Sequence, residues 1–276
     1  MAPRQRAAAF ARHYLLAVQF FTRLPVTGPL AEWVGYSPER LRASAAHFPG
    51  VGWLVGLAAC AAFALFAFAL PATPFTHFVA AVAATACTVL LTGAFHEDGL
   101  ADLADGLGGS LDRERALEIM KDSRIGTFGA IALVLALLTK VGLLAVLAAA
   151  SPASVFPALL AAHVVSRFWP LLIVRTLPYV ADLAGSKSKP LADRISSQAL
   201  AVAAAWCVVP LAIAALAQGL PFVASALAAS GVAFALMRQW LARRLAGFTG
   251  DALGATQQAC ELAFYLGAAL ALAGPR

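Results

Sequence analysis

The most chemically distinctive part of the sequence is a short acidic segment, residues 96–109, in a chain that is 61% hydrophobic and only 12% charged. Residues three, four and seven apart in a helix share one face, so Asp98, Asp102 and Asp105 would point the same way, with Glu97 on the adjoining edge. Carboxylates placed so closely repel one another unless a cation lies between them. Mg²⁺ prefers such oxygens and commonly shares its coordination with substrate phosphates. The spacing therefore predicts a magnesium site formed by Glu97, Asp98, Asp102 and Asp105.

The surrounding sequence is far more apolar than that of a soluble domain. Its mean hydropathy is +0.81. Several apolar stretches are about twenty residues long, enough for a helix to cross a hydrocarbon core of roughly 30 Å. These stretches fall at about 51–70, 76–95, 127–150, 153–174, 198–217, 220–237 and 258–273. The last is short and contains Glu261, so we predict an all-α, polytopic membrane protein with six or seven transmembrane helices.

The chain shows no linker or second soluble domain, so we predict one integral membrane domain over residues 1–276. Within it, residues 1–42 form an N-terminal segment whose amphipathic stretch, 13–24, is typical of an interfacial helix. The 4 cysteines lie in apolar stretches without metal-ligand spacing, which argues against zinc and structural disulfides. The oligomeric state stays open, with a homo-oligomer as one option.

Lysine and arginine residues collect on one side of this predicted topology. They precede the first span and follow the second, fourth and sixth, whereas the opposite turns near 71–75, 151–152 and 218–219 contain none. Because cytoplasmic loops accumulate Lys and Arg, we predict a cell inner-membrane protein with a cytoplasmic N-terminus. Residues 96–126 then form a cytoplasmic catalytic segment. The net charge of +6 is explained by this topology and by attraction to an anionic lipid bilayer, so no nucleic-acid partner is expected.

A second polar segment follows the acidic one and leads into the third span. Lys121 and Arg124 place two cations beside the start of a helix, an arrangement that suits a phosphate. Asp122 between them is a candidate for a further magnesium ligand. Taken alone, the two cations also fit ordinary anchors at a membrane surface. Their position next to the acidic segment favours the substrate-binding interpretation.

Two further residues are candidates for contacts with substrate. Asp251 lies among small residues at the predicted cytoplasmic face, where a turn or helix cap is the alternative interpretation. Arg167 lies within the fourth span, where a charge usually faces an interior partner or cavity, and Lys140 in the third span is a similar case. The flexible basic loop at 185–190 could close over a charged ligand or simply be solvated.

Three of these segments together resemble the signatures of the cobalamin synthase family, the adenosylcobinamide-GDP ribazoletransferases. They are 96–109 (HEDGLADLADGLGG), 118–129 (EIMKDSRIGTFG) and 249–255 (TGDALGA). Residues 20–26 (FFTRLPV) and 48–52 (FPGVG) resemble the N-terminal pattern of the same family. The similarity runs from about residue 14 to 265 and is loose over 181–197.

This resemblance implies a Mg²⁺-dependent reaction at the membrane. Adenosylcobinamide-GDP and alpha-ribazole, or alpha-ribazole 5'-phosphate, are joined to give adenosylcobalamin or its 5'-phosphate, and GMP is released. We expect Asp98, Asp102 and Asp105 to be catalytic and to hold one or two Mg²⁺ ions across the diphosphate, with Asp105 as a candidate proton acceptor. Lys121 and Arg124 would then bind diphosphate or GMP.

Two alternatives remain at this stage. A CDP-alcohol phosphotransferase of phospholipid synthesis also spaces aspartates along a helix, but its pattern expects Ala and Arg where this chain has Asp102 and Leu103. A cation transporter could use acidic residues among apolar helices, although those acids belong at mid-membrane rather than at one face.

Overall fold

The computed structural model describes residues 3–181 and 195–273, and helices dominate both ranges. The short helical turns Ala45–His47 and Pro152–Ser154 lead into the two helices that follow them. The α-helices of the described residues are α1 (Pro3–Phe21), α2 (Gly28–Val34), α3 (Pro38–Ser44), α4 (Phe48–Ala69), α5 (Thr76–Thr92), α6 (Phe95–Gly109), α7 (Arg113–Ile119), α8 (Thr127–Ala150), α9 (Val155–Val165), α10 (Trp169–Thr176), α11 (Ser197–Gln218), α12 (Leu220–Arg244) and α13 (Gly250–Leu272). The basic loop at 185–190 lies outside the described residues.

Five helical stretches in the described residues are long and apolar enough to cross a membrane. They are Pro38–Ala69, Thr127–Ala150, Pro152–Thr176, Ser197–Gln218 and Leu220–Arg244. The pair α5 and α6 adds a sixth candidate, bent by 89° at the break between the two helices. This confirms the all-α, polytopic fold, and the count of six holds when the bent pair is included.

The predicted seventh stretch, 258–273, falls inside the longer helix α13, which does not reach the same apolarity. Its polar residues Gln257, Gln258 and Glu261 are all buried, and the helix packs against α6, α8, α9, α10 and α12. A helix surrounded by other helices can carry polar side chains because its partners satisfy them. Helix α13 is therefore an interior helix of the bundle.

The bend between α5 and α6 comes from two consecutive residues in the left-handed region. Gly93 has φ +69° and Ala94 has φ +59°. The Gly93 N–H donates to the Leu90 carbonyl at 3.3 Å and the Ala94 N–H to the Val89 carbonyl at 2.9 Å, which ends α5. Because the turn directs α6 away from the axis of α5, the acidic segment starts at a corner rather than continuing the span.

Small residues bring α6 and α13 together. A Cβ atom at Gly99 would lie 2.8 Å from the carbonyl oxygen of Asp251, and one at Gly254 would lie 3.3 Å from the backbone of His96. Neither glycine can therefore carry a side chain without moving a neighbouring backbone. This close approach places the start of α13 beside the acidic turns of α6.

Candidate active site

The corner between α6 and α13 gathers three carboxylates, Asp98, Asp102 and Asp251, which we call the acidic corner. Asp98 is exposed, whereas Asp102 and Asp251 are partly buried. Both Asp98 and Asp251 act electrostatically on Asp102, as does Asp105 further along α6. No basic side chain among the described residues forms an ion pair with Asp102. The acidic corner therefore carries like charges that the described part of the protein leaves unbalanced.

A cavity of about 690 Å³ opens beside the acidic corner. We call it the Asp98 cavity. Its walls come from the end of α1, the α5–α6 bend and the first turn of α13: Gln19, Phe20, Thr22, Arg23, Thr92, Gly93, Phe95, Asp98, Gly250 and Asp251. A cavity of this size and polarity can admit a charged group larger than a single phosphate.

Asp105, although it shares a helix with Asp98 and Asp102, is held differently. It is buried, and its Oδ2 accepts a hydrogen bond from the Gly126 N–H at 2.7 Å while its Oδ1 accepts one from the Gly129 N–H at 2.8 Å. The carboxylate thus satisfies free amides at the N-terminus of α8 and interacts favourably with that helix dipole. Asp105 therefore fixes the start of α8 against α6, a structural contact that the sequence pattern did not reveal.

Glu97 turns into the protein instead of joining the acidic corner. Its Oε1 accepts a hydrogen bond from Gln258 Nε2 at 3.1 Å, and its Oε2 is buried without a hydrogen-bond partner among the described residues. Gln258 Nε2 also donates to Gln257 Oε1 at 3.0 Å, and Gln257 Nε2 donates to Glu261 at 2.7 Å. Glu97 is therefore the first member of a polar chain that runs inward along α13.

The inner end of this chain is a buried ion pair. Lys140 Nζ lies 2.6 Å from Glu261 Oε1, and the two side chains are 3% and 1% exposed. Tyr265 also donates to Glu261, at 3.2 Å, and His163 Nδ1 lies 3.4 Å from it. The expectation that a charge in the third span faces an interior partner is confirmed for Lys140. We call the group from Glu97 to Lys140 the buried network.

Arg167 belongs beside the buried network rather than at the open acidic corner. It lies between α9 and α10, is 2% exposed, and its Nη1 donates to the His163 carbonyl at 2.7 Å. Its guanidinium also lies 5.7 Å from the centre of the Phe48 ring and interacts electrostatically with Glu97 and Glu261. Its Nε has no hydrogen-bond partner among the described residues.

The structure separates Asp122 and Arg124 from the acidic corner. Arg124 Nη2 lies 2.6 Å from Asp122 Oδ2, and hydrogen bonds from Arg124 lower the pKa of the exposed Asp122 carboxyl to about 2. Both residues line a second cavity of about 560 Å³, the Asp122 cavity, together with Arg115 and Asp105. Lys121, just before them, is exposed. The predicted phosphate-binding segment thus faces a different cavity from Asp98.

No set of three or more His, Cys, Asp or Glu side chains in residues 3–181 and 195–273 is close enough to enclose a metal ion. The predicted five-residue magnesium set is divided: Asp98 and Asp102 stay at the acidic corner, whereas Glu97, Asp105 and Asp122 have other contacts. Two carboxylates still suit Mg²⁺, because this ion keeps waters and takes substrate phosphates as ligands. The chemistry of the acidic corner therefore fits a magnesium ion shared with a phosphorylated substrate.

Comparisons with known proteins show the family to which the chain belongs. A model of the family described as cobalamin-5-phosphate synthase matches residues 13–269. The chain belongs to the cobalamin-5-phosphate synthase family. A relative from Albidiferax ferrireducens, named adenosylcobinamide-GDP ribazoletransferase, is 60% identical over 277 residues, covering 95% of this chain and 99% of the relative. One of the same name from Vibrio cholerae is 46% identical over 257 residues, covering 92% and 91%. No solved structure matches the chain significantly.

The family match includes every residue of the acidic corner and one that sequence reasoning did not assign. Arg23 lines the Asp98 cavity with Asp98 and Asp251. It appeared in the sequence only as part of the 20–26 pattern. Because 75 residues separate Arg23 from Asp98, no local spacing rule could place them together. Only the packing of the α1 end against the α5–α6 bend does so.

Proposed function

We propose that this protein is an adenosylcobinamide-GDP ribazoletransferase of the cell inner membrane. It would join adenosylcobinamide-GDP and alpha-ribazole, or alpha-ribazole 5'-phosphate, and release GMP. The observation that carries the proposal is the acidic corner, where unbalanced carboxylates border an open cavity at one end of an apolar helical bundle. Family membership and the names of the relatives support the same reaction.

The reaction is a phosphoryl transfer in which one phosphorus–oxygen bond forms and one breaks. A hydroxyl of the ribazole attacks the phosphorus nearer cobinamide, the bridging oxygen leaves with GMP, and the hydroxyl proton passes to a base. A Mg²⁺ ion, when bound, would neutralise charge on the diphosphate. Asp98 and Asp251, which line the Asp98 cavity, are the residues that would hold it. The contribution of the protein is to orient the reacting groups of the two substrates at the Asp98 cavity.

The proton acceptor is best sought among the carboxylates that have no hydrogen-bond donor. Both oxygens of Asp105 already accept backbone amide hydrogen bonds that hold it against α8. Asp102 has no hydrogen-bond donor among the described residues and is partly open to solvent. We therefore propose Asp102 as the acceptor and Asp105 as the carboxylate that positions α8 against α6.

The distribution of basic residues supports a cytoplasmic active site. The acidic corner includes the first turns of α6, and the C-terminal end of the same helix contacts the end of α12 that carries Arg243 and Arg244. There, Arg244 Nη2 donates to the carbonyls of Leu107 at 3.1 Å and Ser110 at 2.6 Å. Because Lys and Arg accumulate on the cytoplasmic side, we propose that the Asp98 cavity opens to the cytoplasm, where both substrates are soluble.

The test is to incubate detergent-purified protein with adenosylcobinamide-GDP, alpha-ribazole 5'-phosphate and Mg²⁺ and to follow the products by mass spectrometry. We expect GMP and adenosylcobalamin 5'-phosphate in equal amounts, and neither product when EDTA is present. A parallel reaction supplies a CDP-alcohol and an acceptor alcohol. Release of CMP there, with no GMP in the first reaction, would reject the proposal in favour of a phospholipid-type enzyme.

A further inference from the structure

We propose that Arg23 is a substrate-binding residue whose guanidinium binds the diphosphate in the Asp98 cavity. This inference rests on the proposed function and names a residue that lies outside the acidic segment 96–109 and the segment 118–129. Arg23 lines the same cavity as Asp98 and Asp251. It is the cation that the acidic corner needs if a doubly charged diphosphate is to enter beside several carboxylates.

The backbone around Arg23 is fixed by hydrogen bonds to two different elements. The Arg23 N–H donates to the Leu91 carbonyl at 2.7 Å, which ties the end of α1 to the last turn of α5. The preceding Thr22 is buried, and its hydroxyl donates to the Val18 carbonyl at 2.7 Å and accepts from the Leu24 N–H at 3.1 Å. The side chain of Arg23 therefore starts from a rigid position at the mouth of the cavity.

The side chain of Arg23 lies directly over Gly93. A Cβ atom at Gly93 would collide with the Nε of Arg23 and lie 2.9 Å from its Cζ. The same glycine has φ +69° and belongs to the bend that directs α6 away from α5. One position thus serves two needs, because glycine adopts this backbone conformation without strain and leaves space for the guanidinium.

The head group of Arg23 is exposed and has no hydrogen-bond or ion-pair partner in residues 3–181 and 195–273. Two other arginines already have partners: Arg113 Nε donates to the Leu245 carbonyl at 2.6 Å, and Arg124 is paired with Asp122 at 2.6 Å. A guanidinium presents a planar fork of donors that matches two phosphate oxygens. The Arg23 guanidinium starts from a fixed backbone, lies beside a polar cavity and has no partner among the described residues. It is therefore suited to bind an anion.

The charges of the cavity favour a diphosphate bound together with a cation over an anion alone. Asp98 and Asp251 would repel a bare phosphate, whereas a bound magnesium ion would reverse that interaction. Arg23 would supply the second positive group for the diphosphate. The cavity volume of about 690 Å³ leaves room for the diphosphate and part of an attached group.

The experiment compares Arg23→Gln with the matched control Arg243→Gln. Arg243 is also exposed and unpaired among the described residues, but it does not line the Asp98 cavity. We expect Arg23→Gln to lower kcat/KM for adenosylcobinamide-GDP by about 10- to 100-fold, the effect of losing a charge-assisted pair of hydrogen bonds. Its KM for alpha-ribazole 5'-phosphate and the activity of Arg243→Gln should stay within about twofold of wild type.

Two further measurements separate this inference from the proposed function. Arg23→Lys keeps the positive charge but not the planar set of guanidinium donors, and it should recover part of the kcat/KM that Arg23→Gln loses. Calorimetric titration with magnesium pyrophosphate needs no turnover, and we expect Arg23→Gln to bind it at least about tenfold more weakly than Arg243→Gln. Equal kinetics and equal pyrophosphate binding in the two variants would overturn the inference. Arg23-dependent pyrophosphate binding in a wild-type protein that makes no GMP would uphold it and reject the ribazoletransferase reaction.

Discussion

The acidic corner and the buried network both contain carboxylates, but these are paired with a cation only in the buried network. In the buried network, Glu261 meets Lys140 at 2.6 Å and also accepts hydrogen bonds from Gln257 and Tyr265. At the acidic corner, Asp98, Asp102 and Asp251 act on one another and form no ion pair with a basic side chain of the described residues. A carboxylate whose charge is balanced inside the bundle contributes to structure. One that is left unbalanced beside an open cavity is available for a ligand.

The largest effect is expected at the acidic corner, where a substitution of Asp102 should abolish turnover without unfolding the protein. Changing Asp102 to Asn removes a charge from the acidic corner but almost no volume. We expect turnover to fall by about 10³-fold, because one preorganised electrostatic contact at a reacting group has this order of effect. The thermal midpoint in detergent should not fall. The measurement is GMP release at saturating Mg²⁺, with the circular dichroism melting curve as the control for folding.

A substitution in the buried network, Glu261→Gln, should lower stability and leave activity nearly unchanged. This leaves the Lys140 ammonium buried without its partner, and we expect the free energy of unfolding to fall by about 3–5 kcal/mol. Activity per folded molecule should stay within about threefold of wild type. Unfolding in a denaturing detergent series measures the loss. The double variant Glu261→Gln with Lys140→Met removes both charges and should recover part of it, and equal losses in the single and double variants would argue against an ion pair.

Asp105 belongs to neither region, and its contact with α8 can be tested at a glycine. A Cβ atom at Gly129 would collide with the Asp105 carboxylate and lie 2.9 Å from the Ala101 carbonyl oxygen. We expect Gly129→Ala to destabilise the protein by about 1–3 kcal/mol, the usual cost of overpacking. Gly142→Ala on the same helix is the control, because nothing lies within 4 Å of its added Cβ. A similar melting temperature for the two variants would contradict the Asp105 contact.

The smallest effect is expected for Arg124, which the sequence made a candidate for phosphate binding. Because Arg124 is exposed, paired with Asp122 and faces the Asp122 cavity, Arg124→Gln should lower kcat/KM for adenosylcobinamide-GDP by less than about fivefold. The steady-state assay with Arg23→Gln run in parallel makes the measurement. A larger loss for Arg124→Gln than for Arg23→Gln would move the diphosphate from the Asp98 cavity to the Asp122 cavity.

Much of the fold was predictable because it depends on local patterns. Apolar stretches of membrane length predicted the spans, and the spacing of Asp98, Asp102 and Asp105 correctly placed them on a single helix, α6. The 89° bend before that helix was harder to foresee, since it depends on a positive φ at Ala94, a residue type that rarely adopts one. The interior position of α13 likewise follows from packing rather than from its own sequence.

The candidate site was only partly predictable, because it also depends on how the helices pack. Sequence spacing shows which side chains share a helical face, but it does not show what meets that face. Glu97 was expected near Asp98, yet a hydrogen bond from Gln258, 161 residues away, holds it inside the bundle. Asp105 was expected to bind metal, and its two amide hydrogen bonds are made with residues 21 and 24 positions away. Such contacts exist only once the helices have packed.

The most direct test of the account is to measure GMP release and thermal stability for Asp102→Asn and Glu261→Gln side by side. We predict that Asp102→Asn is folded and nearly inactive, whereas Glu261→Gln is less stable but active in its folded fraction. The opposite pattern, with an active Asp102→Asn and a folded but inactive Glu261→Gln, would place the chemistry in the buried network and contradict the assignment of the active site to the acidic corner.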